Sequence, residues 1–146
     1  TVTRHPVEML KSYFKFFKPD INGRYCYQPL WNGIINPDFE NWVLTGRVGA
    51  IPNWLRLGPN IISTNDLSPL SLEAHILDQH KQLSVDRVFY IEEPEKIVSW
   101  LEDKLRVKVS LPHINSSAHE RLPKLGNEAI EKVRQMMPME SKIYAI

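Results

Sequence analysis

Residues 1–18, TVTRHPVEMLKSYFKFFK, decide the fold that the sequence predicts. The β-branched run Thr1–Thr3 favours a short buried strand, with Arg4 at its carboxyl end. Pro6 stands where a helix begins well, because its missing N–H is not needed there and its fixed φ is already helical. Apolar side chains then recur at helical spacing, at Val7, Leu10, Phe14 and Phe17. The stretch is therefore predicted to form a strand, a sharp turn and an amphipathic helix.

That arrangement suits a bound anion. Ligands of open α/β sheets lie beyond the carboxyl ends of the strands, where the N–H groups of the following helix point at them. Arg4 supplies a forked, permanently charged donor, and Ser12 on the second turn of the helix can add a hydroxyl. The alternative is that Arg4 pairs with a carboxylate such as Glu8 and that Ser12 is a solvated helix serine.

Arg4-His5-Pro6, with Ser12 eight residues after the arginine and Tyr13 next to it, resembles a known motif. It is similar to the 3′-phosphate-binding motif of sulfotransferases that use 3′-phosphoadenosine 5′-phosphosulfate (PAPS). The nearest branch is the carbohydrate sulfotransferases, with the pattern Arg-Asp-Pro-x-x-Arg-x-x-Ser-x-Tyr. The resemblance implies that Arg4 and Ser12 contact the 3′-phosphate of PAPS or of adenosine 3′,5′-bisphosphate. The chain departs from the pattern in having His5 for the acid and Met9 for the second arginine.

Later stretches share the resemblance. VDRVFYIEEPEKIVSWLEDKL looks like the late strand and helix of that family, and LPHINSS looks like its C-terminal loop. The ending MESKIYAI is similar to its closing helix, with Glu140 for an aspartate and Ile143-Tyr144 for a Leu-Tyr. In the family, a basic and polar segment folds over the nucleotide, which implies further cofactor contacts from Ser116, Ser117, Arg121 and Lys124. The alternative for this segment is a solvated loop.

One α/β domain with a mainly parallel sheet is predicted for the 146 residues, because helical and strand patterns alternate along the chain. The resemblance implies the three-layer, P-loop-nucleotide-hydrolase-like version of that class. The patterns predict a helix opened by Ser68-Pro69 with an apolar stripe that reaches Leu83, a strand over Val85–Ile91 and a helix from Pro94. They also predict a strand over Val107–Leu111 and a last helix that Asn127 caps, which runs to about Met137 and is ended by Pro138.

The family also needs a lysine-containing, glycine-rich turn that holds the 5′-phosphosulfate. Gly46-Arg47-Val48-Gly49 does not qualify, because no Lys-Ser/Thr follows it. The resemblance therefore implies a fragment that lacks the N-terminal strand and the P-loop of the domain.

Sulfuryl transfer also needs a general base on the acceptor, and the candidates are His5, His75, His80, His113, His119, Glu92 and Glu93. The alternative for each is a solvent-exposed or hydrogen-bonded residue. The base of the family lies near the 5′-phosphosulfate loop in many members, so no catalytic residue is assigned.

Composition narrows the choice of partners. With 18 basic and 17 acidic residues, the sequence indicates no nucleic-acid partner, and no apolar run is long enough to span a membrane. The single cysteine, Cys26, and an opening without a secretory signal favour a cytoplasmic location. A small-molecule or glycan acceptor is expected, and aromatic side chains and asparagines between Lys18 and Asn60 can form a platform for sugar rings. The aromatic residues can equally be plugs over a core: Tyr25, Tyr27, Trp31, Trp42 and Trp54.

The same residues also fit a second class of function. In it, the chain is a non-catalytic α/β module that binds glycan or a protein partner, and Arg4 is purely structural. A nucleotide kinase is a third reading, which the missing P-loop disfavours. Dependence on a 3′-phosphate separates the first reading from the second.

Overall fold

The computed structural model describes residues 1–18, 38–52, 67–111 and 122–146. Their elements, in chain order, are β1 (Val2–Thr3), α1 (Pro6–Phe17), α2 (Phe39–Thr45), β2 (Ala50–Pro52), β3 (Leu67–Pro69), α3 (Glu73–Ile76), β4 (Phe89–Tyr90), α4 (Pro94–Leu105), α5 (Asn127–Met136) and α6 (Pro138–Ile143). Contacts divide the chain into two compact units, one of Thr1–Arg4 with Ile76–Arg121 and one of His5–His75 with Leu122–Ile146.

The first unit is built on a parallel pair of strands. Val2 of β1 lies opposite Phe89 of β4, and Thr3 lies opposite Tyr90. The Phe89 N–H donates to the carbonyl oxygen of Thr1 at 2.9 Å, and the Ile91 N–H donates to that of Thr3 at 2.9 Å. Because the strands run parallel, both carboxyl ends lie at one edge, where Arg4 follows β1.

The second unit holds the hydrophobic core. The apolar stripe of α1 is buried as predicted, with Leu10 and Phe17 fully enclosed. The aromatic pair that the i,i+4 spacing predicts is present, since the rings of Tyr13 and Phe17 lie 6.0 Å apart at 65°. Residues from α2, α5 and the loops complete the core: Phe39, Trp42, Val43, Val48, Leu70, Ala129, Val133 and Met137.

The mixed helix-and-strand class is confirmed, with a parallel pair among its strands. Within the described ranges the strands form two two-stranded sheets, because β2 and β3 pair antiparallel while β1 and β4 pair parallel. One parallel pair and one antiparallel pair do not make up the mainly parallel sheet that the sequence predicts. In the same ranges, no helix has the length and apolar character needed to cross a bilayer.

The helix predicted from Ser68-Pro69 is wrong. Pro69 ends β3, where it lies opposite Ala50, and α3 covers only Glu73–Ile76. A proline is tolerated there because each strand of a two-stranded ladder has a free edge. Further along, the Asp78 carboxylate accepts the N–H groups of His80 and Gln82 at 2.8 and 2.9 Å, which favours a turn over a longer helix.

Two predicted strands shorten or disappear. The strand expected over Val85–Ile91 is confined to Phe89–Tyr90, and Val107–Leu111 is not a strand. After α4, Arg106 adopts a left-handed conformation with φ of 58°, and the Glu102 carboxylate accepts the Val109 N–H at 3.1 Å. The Val109 N–H, which a neighbouring strand would have accepted in a sheet, is thus bonded to the Glu102 side chain.

The C-terminal helices differ from prediction at their joint. Gly126 caps α5, so Asn127 is its first residue rather than its cap. Pro138 does not merely end a helix, because it is also the first residue of α6. Pro138 can do both because proline cannot continue a helix but fits its first turn.

Gly46, directly after α2, has no room for a side chain. A Cβ there would lie 2.6 Å from the carbonyl oxygen and 2.7 Å from Cδ1 of Trp42. We expect Gly46→Ala to lower the free energy of unfolding by about 1–3 kcal/mol, measured by urea denaturation. Gly49→Ala is the matched control, because its Cβ would meet only the flexible Met136 side chain, with Sδ at 3.3 Å. Equal losses in the two variants would contradict this explanation.

Candidate functional site

Arg4 lies at the carboxyl edge of the parallel pair in the first unit, as the sequence predicts. Its side chain is half-buried and forms no ion pair with any carboxylate of the described ranges. Glu8, the carboxylate that the alternative interpretation pairs with Arg4, forms its ion pair with Lys11 instead, whose Nζ donates to Oε1 at 2.7 Å. The guanidinium therefore keeps its donors available at the end of a strand, where α/β folds bind ligands.

The first turn of α1 in the second unit has N–H groups without helical acceptors. Pro6 is its first residue and His5 its cap, and the cap side chain makes no hydrogen bond to the helix end. The first helical bond in the turn is from the Met9 N–H to the His5 carbonyl oxygen at 2.9 Å. The amides of Val7 and Glu8 precede it, and such amides with the helix dipole favour an anion.

Ser12 lies on the second turn of α1, half-buried. Within the residues that the structure describes, its hydroxyl has no hydrogen-bond partner. Arg4 belongs to the first unit and Ser12 to the second, and each is described within its own unit. Both side chains that the resemblance assigns to a 3′-phosphate thus have hydrogen-bonding capacity to offer.

His5 has a ring neighbour that the sequence pattern did not reveal. Tyr144, just after α6, packs edge-on against it, with ring centroids 5.2 Å apart at 66°. The two residues are far apart in sequence, so no local periodicity connects them. The contact brings the C-terminus of the chain to the residue that caps α1.

Other predicted site residues are only partly covered by the structure. Lys124 is exposed in the segment before α5, where the Glu40 carboxylate accepts the Gly126 N–H at 2.8 Å. Ser116, Ser117 and Arg121 lie outside the described residues.

The aromatic candidates for a sugar platform and the histidine candidates for a general base are also only partly described by the structure. Trp42 is 1% exposed and belongs to the core, so it is not a sugar platform. His75 Nε2 lies 2.8 Å from the Pro69 carbonyl oxygen, whereas His80 lies beyond the end of α3. No group of three or more metal-binding side chains occurs in the described ranges. Several candidates lie outside them: Tyr25, Cys26, Tyr27, Trp31, Trp54, His113 and His119.

The first unit also contains an open groove of about 870 Å³ between β4 and α4. The rings of Phe89 and Trp100 lie 5.4 Å apart in it, and the Arg87 guanidinium lies 5.8 Å from the centroid of Phe89. Glu93 accepts from Lys96 Nζ at 2.7 Å, and this hydrogen bond raises the pKa of Lys96. The remaining lining residues are Val88, Tyr90, Glu95, Ser99 and Asp103.

The groove therefore combines aromatic faces with charges of both signs, and its volume is typical of small-molecule sites. No sequence signal marks this groove, because its aromatic residues follow strand and helix patterns that fit a core equally well.

Comparison with models of known protein families, with curated proteins and with solved structures found no match to this chain.

Proposed function

We propose that this chain carries the 3′-phosphate-binding part of a PAPS-dependent sulfotransferase that acts on a carbohydrate-like acceptor. The reaction is in-line transfer of a sulfuryl group from PAPS to a hydroxyl or amine of the acceptor. Arg4 and Ser12 bind the 3′-phosphate, and Lys124, with Ser116, Ser117 and Arg121, contributes to the cofactor side. On this proposal the strands and helices belong to a P-loop-nucleotide-hydrolase-like, three-layer fold with a mainly parallel sheet.

One observation carries the proposal: β1 leads directly through Arg4 and His5 into α1. The guanidinium has no ion pair in the described ranges, and the first turn of α1 has amides without helical acceptors. A permanently charged guanidinium suits a dianionic phosphate monoester, and so do the amides at the start of a helix. Sulfuryl transfer further needs cations on the leaving phosphate, a role that we assign to none of the described residues.

The direct test is calorimetric titration with adenosine 3′,5′-bisphosphate beside AMP. The two nucleotides share the base, the ribose and the 5′-phosphate, so a difference in affinity measures recognition of the 3′-phosphate. We expect the bisphosphate to bind more tightly, by a margin that shrinks as salt is added. Equal affinities, or no binding by a protein with a cooperative melt, would contradict the proposal.

The groove of the first unit favours a second candidate function, a non-catalytic module that binds glycan. Aromatic faces such as those of Phe89 and Trp100 suit the C–H faces of sugar rings, while the side chains of Glu95, Ser99 and Asp103 can bond to hydroxyls. On this reading the nucleotide has no role, and Arg4 belongs only to the structure.

Trp100→Ala separates the two candidates. If the groove binds glycan, this variant should weaken binding of a chondroitin hexasaccharide on the order of tenfold, as measured by calorimetry. Leu105→Ala, an exposed position on α4 that does not line the groove, should leave the affinity unchanged. Binding that survives Trp100→Ala would exclude the groove as the glycan site.

A further inference from the structure

Glu140 is a buried carboxyl with a hydrogen-bond partner on only one of its two oxygens in the described ranges. Its side chain lies on α6 and is 1% exposed. Oε1 accepts the backbone N–H of Leu72 at 2.5 Å, a contact between residues 68 positions apart. Oε2 is enclosed and has no hydrogen-bond partner within the described ranges. An ionised carboxylate in this position is costly, because its charge is neither solvated nor paired.

Two serine hydroxyls flank this contact along the chain. Ser71 immediately precedes Leu72, and Ser141 immediately follows Glu140. Each Oγ is buried without a hydrogen-bond partner among the residues described. Neither hydroxyl forms a hydrogen bond to Glu140, so no polar group of the described ranges compensates an ionised Oε2. A neutral carboxyl avoids the cost of such a buried, unpaired charge.

Burial and the neighbouring Glu73 carboxylate both favour the neutral form of Glu140. Burial raises the pKa of Glu140 most, the Glu73 carboxylate raises it further, and the backbone hydrogen bonds, including that from Leu72, lower it. No cation of the described ranges forms an ion pair with Glu140. Three segments contact α6 or the residues just after it: the Leu72 segment, α5 and His5. The titratable and charged groups on these segments and on α6 are Glu73, His75, His5, Glu128, Glu131, Lys132, Arg134 and Lys142.

The same short helix reaches the cap of α1. The Tyr144 N–H donates to the carbonyl oxygen of Glu140 at 2.9 Å, which closes the last turn of α6. The Tyr144 ring then packs on His5, the residue after Arg4. Docking of α6 through Glu140 therefore also positions the aromatic ring that contacts the beginning of α1.

We propose that Glu140 is a proton-controlled clasp: in its neutral form it docks α6 on the Ser71–Leu72 segment and so holds Tyr144 against His5. Ionisation of the enclosed carboxyl weakens this docking and loosens the contact at the cap of α1. The clasp is a property of the second unit and stands on its own geometry. Its effect on nucleotide affinity rests on the proposed function.

The sign of the pH dependence follows from linkage. Between the ordinary glutamate pKa of about 4.3 and the higher pKa in the folded state, the native protein binds more protons than the unfolded chain. The contribution of Glu140 is thus fully present below about pH 4.3 and is lost as pH rises through the folded-state pKa. The effect is read as a difference between variants, so that contributions the variants share cancel.

We would measure urea denaturation midpoints from pH 4 to pH 8 for the wild type, Glu140→Gln and Glu128→Gln. A glutamine keeps an oxygen for the Leu72 N–H and offers a permanent donor, so it imitates the protonated glutamate. The midpoint of Glu140→Gln should therefore rise relative to wild type as pH increases. Glu128→Gln, at an exposed position in the first turn of α5, should show a small difference of the opposite sign, because an ionised carboxylate favours a helix N-terminus. A Glu140→Gln difference that is flat or shrinks with rising pH would overturn the clasp.

A second measurement covers the case in which Glu140→Gln does not fold. The side-chain carboxyl carbon of Glu140 can be titrated by NMR in the wild-type protein. A midpoint above that of an exposed glutamate supports the clasp, and a midpoint at or below it contradicts it. Weakening of nuclear Overhauser contacts between Tyr144 and His5 through the same midpoint is expected, and contacts that stay constant would exclude loosening of the cap.

Nucleotide titration keeps the two proposals apart. If both hold, the wild-type affinity for adenosine 3′,5′-bisphosphate should fall, relative to that of Glu140→Gln, as pH rises through the Glu140 midpoint. A pH-dependent midpoint difference without any nucleotide binding would retain the clasp and remove the sulfotransferase proposal. Binding that needs the 3′-phosphate but shows no Glu140-dependent pH effect would retain the site and remove its regulation.

Discussion

Arg4→Ala is expected to abolish the preference of the chain for adenosine 3′,5′-bisphosphate over AMP. A hydrogen bond between charged groups contributes about 1.5–3 kcal/mol, so losing one should lower the affinity for the bisphosphate roughly 10- to 100-fold. The affinity for AMP should hardly change, because AMP lacks the group that Arg4 contacts. Calorimetric titration of both nucleotides into both proteins measures this difference.

Arg106→Ala is the matched control for this prediction. It removes an arginine from the same unit, but one that is exposed and lies 3.6 Å from Asp103. An equal loss of affinity in both variants would mean that net charge, and not a contact to the 3′-phosphate, drives binding. A folded Arg4→Ala protein that keeps the nucleotide preference would leave Arg4 with a structural role and favour the glycan-binding module.

Trp42→Ala should cause the largest loss of stability among single substitutions in the second unit. The Trp42 side chain is 1% exposed, and its ring lies 5.6 Å from that of Phe14 on α1 and 6.5 Å from that of Phe39. Truncation removes a large apolar contact and leaves a cavity, at a cost of about 3–5 kcal/mol. Since small domains are stable by only about 5–15 kcal/mol, the denaturation midpoint should fall steeply.

Phe16→Ala provides the comparison on α1. This ring is 55% exposed and packs edge-on against Phe17 at 4.9 Å, so its removal should cost far less than removal of Trp42. Comparable losses for the two variants would show that the aromatic cluster of α1 and α2 is not the centre of the core.

The candidate site divides into a part that local sequence predicts and a part that it does not. Arg4 and Ser12 were placed by the strand-turn-helix pattern and by the resemblance, and the structure describes the local elements as expected. Their contact with a phosphate remains a prediction. The packing of Tyr144 on His5 and the enclosure of Glu140 had no signal in spacing, because both depend on where the C-terminal helix docks.

What the sequence determined by itself is local. Pro6 at the first helical position and the stripe from Val7 to Phe17 specify α1, because φ restriction and the 3.6-residue period act within one segment. The same local patterns wrongly place Pro69 at the start of a helix, whereas it pairs with Ala50 in a strand, and they predict a helix longer than Glu73–Ile76. Tertiary structure alone decided strand pairing and the burial of Trp42 and Glu140, because those outcomes depend on contacts between residues distant in sequence.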